Sequence, residues 1–314
     1  MRRQKPADLE ALRQAPGRAG LSVIITTFNE EVNIADCIES VIWADEILVV
    51  DSFSRDRTVE IARGYPVQVL QREYFGSAAQ KNWAIDRTTK AWVLIVDADE
   101  RVPPPLAAEI LRTLAAAPAV NGFSVRRENI FVDRVMRHSG WSTDTVIRLF
   151  RRDKGRYPNR RVHADLAVEG PTPLLKNAFM HYTFRSFDQY FDKFLKYAEW
   201  GAAQAYREGR NVGVLEIAGR PLWRFLRTYV LQLGFLDGLH GLVLCTLQAF
   251  GVFLKYARLW EYRLRTRRGE VIHLPAFDED PRTWQRQDGR QPDAGRPAPS
   301  VDEGGERPEP PVPS

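Results

Sequence analysis

Cysteine is scarce in this chain: Cys37 and Cys245 are the two present in 314 residues. They stand far apart and show no CxxC or CxxH spacing, which excludes a disulfide framework and a thiolate zinc site and fits a reducing compartment. No P-loop occurs and the first βα turn has no glycine-rich fingerprint, so a dinucleotide cofactor is not expected. No internal repeat is present. The first twenty residues, MRRQKPADLEALRQAPGRAG, are basic but lack the apolar run of a secretory signal, which places the expected catalytic part in the cytoplasm.

The charge balance leans positive, at +5 with a pI near 9.2. That sum suits nucleic acid, anionic lipid or a phosphorylated substrate without choosing among them. No nucleic-acid module accompanies it, and arginines cluster around an apolar segment instead, so nucleic acid is not expected as a partner.

From residue 21 the chain alternates apolar runs rich in β-branched residues with helix-like segments: LSVIITTF, EVNIADCIESVIWA, EILVVDS, DRTVEIARGY, VQVLQRE, GSAAQKNWAIDRTT and AWVLIVD. Successive βα units with continuous apolar strands predict a parallel sheet covered on both faces, with ligands beyond the strand carboxyl ends. The polar residues gather there: Thr26, Thr27, Asn29 and Glu30 after the first strand, Asp51 and Ser52 after the second, Asp97 and Asp99 after the fourth. Three prolines, Pro103 to Pro105, then lead into a helix. GFSVRRENIFVDRVMRHSGW and TVIRLFRRDKGRYPNRRVHADLAVEG follow, whose alternation predicts a more antiparallel second half. The fold class is therefore α/β, with a mixed extension of the sheet followed by C-terminal amphipathic and apolar helices.

Beyond this, Phe187, Tyr190, Phe191, Phe194 and Tyr197 repeat at helical spacing, as on a core-facing amphipathic helix. Tyr229 to Leu254 is the most apolar stretch and is long enough to cross a bilayer, yet Arg224 and Arg227 precede it and Lys255, Arg258, Arg263, Arg265, Arg267 and Arg268 follow. Basic residues on both flanks favour helices lying on or dipping into the inner leaflet over a single span; a dimer or domain interface is the other alternative. Eight of the 20 prolines fall after residue 280 among Gly, Arg, Asp and Glu, which predicts a disordered tail over 275–314. The expected organisation is an extension over 1–20, a catalytic domain over 21–185, a membrane-associating helical region over 186–265, and that tail.

WVLIVDADERV carries the chemistry. In an extended segment Asp97 and Asp99 would point the same way, with Ala98 small enough to admit a ligand between them. Hard oxygen ligands so spaced suit Mg²⁺ or Mn²⁺, cations that are normally completed by substrate phosphates and water. The alternative is a solvated turn.

Through TTFNEE, VVDSFSRDRT, AAQKNWAI and VDADERV, in that order, residues 21 to about 182 resemble the family-2 glycosyltransferases of GT-A fold. HSGW, STDTVIRLFRR, VHADL, HYTFRSFDQYFDKFLKYAE and GFLDGLHG extend the likeness to the lipopolysaccharide-core β-1,4-glucosyltransferase type, over roughly four fifths of the chain. The resemblance implies that Asp97 and Asp99 form a DxD motif, Asp99 as direct metal ligand and Asp97 nearer the ribose or metal. It implies that Asp51 reads the uracil and that Thr26, Asn29 and Glu30 line the nucleotide pocket. Lys81 matches a basic position facing the diphosphate, with a solvated helix lysine as the alternative.

Inverting transfer needs a base for the acceptor hydroxyl proton. Asp144, with Arg148 following, matches the family's acidic position, although Thr143 replaces the first acid of the usual pair; the alternative is a capping role. Val162, His163, Ala164 and Asp165 stand where the closer type reads Val-His-Glu. His163 is either a metal or diphosphate ligand or a structural histidine, and Asp165 is the reserve base. Trp141 either faces a sugar ring or packs in the core.

The resemblance thus implies an inverting, metal-dependent transferase of a bacterial cell envelope, on the cytoplasmic face of the inner membrane as a peripheral or monotopic protein. It would move a hexose, glucose from the donor UDP-glucose, onto a lipid-linked glycan acceptor such as a lipopolysaccharide-core sugar. Transfer to a polyprenyl phosphate, and an inactive membrane-bound scaffold, are the alternatives.

Overall fold

The computed structural model describes residues 6–158, 165–184 and 187–274. After α1 (Pro6–Arg13), four strands, β1 (Leu21–Thr27), β2 (Glu46–Asp51), β3 (Gln68–Gln71) and β4 (Trp92–Asp97), alternate with α2 (Ile34–Val41), α3 (Thr58–Arg63) and α4 (Ser77–Ile85). They pair in parallel in the order β3-β2-β1-β4. Strand β1 is buried along nearly its whole length because both faces are covered. Leu21, Val23 and Ile25 pack with Ile34, Cys37, Ile38 and Val41 of α2, while Ile24 packs on the opposite face with Ile85 and Phe150. The α2 residues recur at three and four positions, so one helical stripe is fully buried. Helix α1 lies on this core through Leu9 and Leu12, and Arg18 just after it pairs with Asp45 at 2.7 Å.

The second half of the sheet comes from β5 (Glu100–Arg101), β6 (Gly122–Phe131), β7 (Arg134–Val135), β8 (Thr145–Arg151) and β11 (Leu174–Phe184), while β9 (Gly155–Arg156) and β10 (Ala167–Val168) form a separate ribbon. Helix α5 (Pro104–Ala115) precedes β6, with a proline in its first turn where the missing N–H costs nothing. The order continues β4-β8-β6-β11-β5: β8 is antiparallel to β4 and β6, β11 is parallel to β6, and β5 is antiparallel to β11. Consecutive strands β4 and β5 thus sit four places apart in one sheet, which curls so that the end of β4 approaches β11. Gly155 is required at the turn after β8, since a Cβ there would lie 2.2 Å from the Phe150 ring.

The expected extended run through Asp99 does not form. Strand β4 ends at Asp97 and residues 98–99 make a turn, because the Asp97 N–H bonds the Glu100 carboxylate at 3.0 Å and β5 leaves to pair with β11.

Helices α6 (Phe187–Arg207), α7 (Arg220–Leu226) and α8 (Gly238–Arg267) follow. On α6, Tyr190 and Phe194 are buried while Phe187, Phe191 and Tyr197 are exposed, so only part of the aromatic stripe faces the core. The apolar stretch from Tyr229 is not one helix. A π-helical turn spans Arg227–Leu231, Leu233 then takes the left-handed region (φ 56°), a 3₁₀ turn spans Gly234–Asp237, and α8 begins at Gly238. Glycine permits this elbow, since a Cβ on Gly241 would lie 1.9 Å from the Gly234 carbonyl oxygen. Gly234–Arg267 is the one helical stretch among the described residues long and apolar enough to cross a membrane, by length and composition alone. Residues 275–314, expected as a tail, lie outside the described residues.

Candidate active site

The register of the parallel half sets the first contacts. Thr26 of β1 stands opposite Asp97 of β4, and its hydroxyl donates to Asp97 Oδ1 at 3.0 Å. Helix α4 delivers Lys81, buried, with Nζ 3.1 Å from the same oxygen and 5.6 Å from the centre of the Tyr157 ring. It is not a solvent-facing helix lysine.

The other oxygen of Asp97 is held by Arg148 of β8, which also reaches Glu100 Oε1 at 3.1 Å. The pairing of Leu94 with Leu149 puts Arg148 one step nearer the carboxyl end of β4. Burial alone would raise the Asp97 carboxyl, but the Arg148 and Lys81 charges outweigh it and hold it well below the usual range. Arg148, although buried, is pushed well above its ordinary value by Asp97 and Glu100. Both remain charged.

Asp99 points the other way, across the curl of the sheet. Its carbonyl accepts the Tyr182 N–H at 2.9 Å, and Oδ2 lies 3.5 Å from Nε2 of His181 on β11. Asn129 of β6 stands opposite His181 in the parallel register, its Oδ1 2.6 Å from His181 Nδ1. Burial would lower the His181 pKa, but the hydrogen bond and charge of Asp99 outweigh it and raise the imidazole.

The Asn129 amide donates to Asp144 Oδ2 at 3.1 Å, and Arg127 donates to Asp144 Oδ1 at 2.8 Å while lying 3.6 Å from Glu100. Burial would raise the Asp144 carboxyl; Arg127, then Asn129 and His181, hold it below its ordinary value. Asp97, Asp99 and Asp144 therefore belong to one network, joined through Arg148, Glu100, Arg127, Asn129 and His181. Asp144 stands immediately before β8 and caps no helix.

The residues expected to line a nucleotide pocket form a neighbouring cluster after β1 and β2. Asp51 is fully buried and accepts from the Ser54 N–H at 2.9 Å, the Ser54 hydroxyl and Gln71 Nε2 at 3.1 Å. Asn29, at φ 51°, donates its N–H to Ser54 Oγ at 2.8 Å and accepts the Arg55 N–H at 2.8 Å. Glu30 accepts from the Asn33 amide at 2.6 Å, and its N–H reaches Thr58 Oγ1 at 2.8 Å. Asp51, Asn29 and Glu30 thus brace the two loops against each other. His163 lies outside the described residues, and Asp165 is exposed and takes no part in the network. Trp141 packs edge-on to Phe131 with centroids 6.3 Å apart and near Phe184, within an aromatic cluster.

Sequence reasoning assigned no role to Glu100, Arg127, Asn129 or His181. The available signal was a run of polar side chains on strands otherwise patterned for a core, Arg127 and Asn129 in one and His181 in the other.

A mixed curled sheet with carboxylates at the carboxyl end of its fourth strand defines an α/β glycosyltransferase domain of GT-A type. A family model described as glycosyl transferase family 2 matches residues 22–179, about half of the chain. The chain belongs to that family and is a family-2 glycosyltransferase. It is similar to the lipopolysaccharide core biosynthesis glycosyltransferase LpsC of Rhizobium meliloti, 28% identical over 253 residues that cover 77% of this chain and 92% of the relative. An uncharacterized glycosyltransferase of Rickettsia typhi is 28% identical over 259 residues, 79% of this chain and 89% of that one. Among solved structures, glucosyl-3-phosphoglycerate synthase from Mycobacterium tuberculosis in complex with Mn²⁺, UDP and glucosyl-3-phosphoglycerate matches at 18% identity over 61% of this chain and 81% of that chain, with a TM-score of 0.41.

Proposed function

We propose that this enzyme is an inverting, metal-dependent hexosyltransferase that moves glucose from UDP-glucose onto a lipid-anchored glycan of the lipopolysaccharide-core kind. The carrying observation is the network that joins Asp97, Asp99 and Asp144 at one end of the sheet. Similarity to LpsC, whose name places it in lipopolysaccharide core biosynthesis, supports the acceptor class.

The donor set suits a divalent cation of incomplete protein shell. Both Asp97 oxygens are engaged by Lys81, Arg148 and Thr26, whereas Asp99 and His181 face each other with 3.5 Å between Oδ2 and Nε2. Among the described residues no group of three or more His, Cys, Asp or Glu side chains is arranged to hold a metal ion, so diphosphate oxygens and water would have to complete the sphere. Asp99 and His181 would hold Mg²⁺ or Mn²⁺, which when bound neutralises charge on the leaving diphosphate. Lys81 and Arg148 keep Asp97 ionised and add positive charge on the same side.

Asp144 is the proposed base. Arg127 and Asn129 hold one lone pair of each of its oxygens, and a carboxylate has further acceptor sites for the acceptor hydroxyl. Its lowered pKa keeps it ionised, and it takes the proton as the hydroxyl oxygen bonds the anomeric carbon and acidifies. The helical region is the proposed contact with the inner-leaflet surface, through Trp223, Leu226, Leu231, Leu236 and Leu239, all exposed.

Calorimetric titration of UDP and UDP-glucose, with and without Mn²⁺, into the wild type and Asp99→Ala tests the donor side. Metal-dependent binding that the substitution abolishes is expected; no binding under any condition would overturn the reading.

A further inference from the structure

Asp237 is a buried carboxylate in the most apolar part of the chain, and the network around Asp144 does not include it. A carboxylate so placed is costly unless its oxygens are satisfied. Among the described residues its donors come from residues 137–139. The Arg137 N–H reaches Oδ1 at 3.2 Å, the His138 N–H reaches Oδ2 at 3.0 Å, the Ser139 hydroxyl reaches Oδ2 at 3.3 Å, and His138 Nδ1 lies 3.0 Å from Oδ1. The Ser139 N–H also donates to the Gln232 carbonyl at 3.0 Å. A Cβ on Gly140, at φ 80°, would lie 2.5 Å from Gln232 Oε1, so the two segments approach closely here.

The clamped loop runs straight into the proposed base. Asn129 donates to the Trp141 carbonyl at 3.3 Å and, through the same nitrogen, to Asp144. Residues 136–144 are thus pinned on one side by Asn129 and on the other by the elbow between Gln232 and Gly241. His240 adds a second tie, with Nε2 2.8 Å from Asp133 Oδ1 in the turn between β6 and β7.

The elbow that grips this loop turns its apolar side chains outward. Leu231, Leu233, Phe235, Leu236 and Leu239 are exposed in one short stretch, and Arg220, Arg224 and Arg227 are exposed on the helix leading into it. Exposed apolar side chains on one short stretch, next in sequence to exposed guanidinium groups, match an anionic lipid surface in both hydrophobicity and charge.

We propose that Asp237 is a positioning residue that couples engagement of the elbow with an anionic bilayer to ordering of the 136–144 loop, and so to placement of Asp144. The proposal rests on the membrane contact proposed above. It makes the acceptor side of the site most ordered at the surface where a lipid-anchored acceptor is found.

Hydrogen exchange on the full-length chain, with and without vesicles of phosphatidylethanolamine and phosphatidylglycerol, tests it. In the wild type, vesicles are expected to slow exchange about tenfold across 229–242 and also across 136–144. In Asp237→Asn the slowing should persist at 229–242 and be lost at 136–144. The coupling is overturned if 136–144 responds equally in the variant, or stays unchanged in the wild type while 229–242 slows. Failure of 229–242 itself to slow would remove the membrane contact, and the coupling with it. Unchanged exchange in β1 and β4 shows that the variant is folded; should it unfold, Ser139→Ala, which removes one donor, should weaken only the 136–144 response, and an undiminished response would count against the proposal.

Discussion

The two halves of the sheet contribute opposite chemistry to one seam. The parallel half supplies Thr26 and Asp97 at its strand ends, and Lys81 from a covering helix. The antiparallel side supplies Arg127, Asn129, Arg148 and His181 from strand interiors, with Asp144 at the foot of β8. The acids of the DxD turn are therefore charge-balanced mainly by strands that lie far on in sequence. The site exists only when the seam is closed.

The largest expected effect comes from breaking the acceptor side of the seam. Asp144→Asn should lower kcat by about 10²- to 10⁴-fold while UDP binding by calorimetry is unchanged. Near-normal turnover would remove Asp144 as base and favour a phosphate acceptor, which needs none.

Next comes the seam's central ion pair. Arg148→Met leaves Glu100, fully buried, and Asp97, partly buried, without their shared cation, and should cost about 3–5 kcal/mol in urea unfolding. Adding Glu100→Gln should recover part of that loss, because one buried charge is removed.

His181→Ala should weaken Mn²⁺ binding by about tenfold or more in the presence of UDP, with Mg²⁺ affected in the same direction. Unchanged metal affinity would move the cation away from β11.

The smallest effect is a displaced pH limb. Asp144 has a folded pKa below the ordinary value of about 3.9, so the ionised base persists as pH falls and its ion pair stabilises the fold above that value and is lost on acidification. Arg127→Gln removes the cation but keeps the burial, which raises the carboxyl. The acid limb of kcat/KM should therefore move to higher pH.

The parallel half was legible in the sequence because its strands are short apolar runs with polar ends, and the family motifs sit at those ends. The turn at Ala98 and Asp99 was not, since nothing local shows that Glu100 will cap the Asp97 N–H or that β5 will pair with β11. His181 falls within the HYTFRSF segment, but its meaning depends on a register with Asn129, 52 positions earlier. The break at Leu233 was hidden in the same way, because composition reads the stretch as continuous while the contact of Gly241 with the Gly234 carbonyl bends it.

The two cysteines, scarce as they are, fall in two different regions, the parallel half of the sheet and the C-terminal helices. Cys37 is fully buried in the parallel half, with Sγ 3.7 Å from the Asp97 carbonyl, and burial pushes its thiol up so that it stays protonated. Cys245 is buried on α8, against the elbow at Gly234. Neither sulfur meets an alkylating reagent until its own region opens. The native chain therefore carries two internal clocks, and the order in which the thiols become labelled reads out whether the parallel half or the elbow unlatches first.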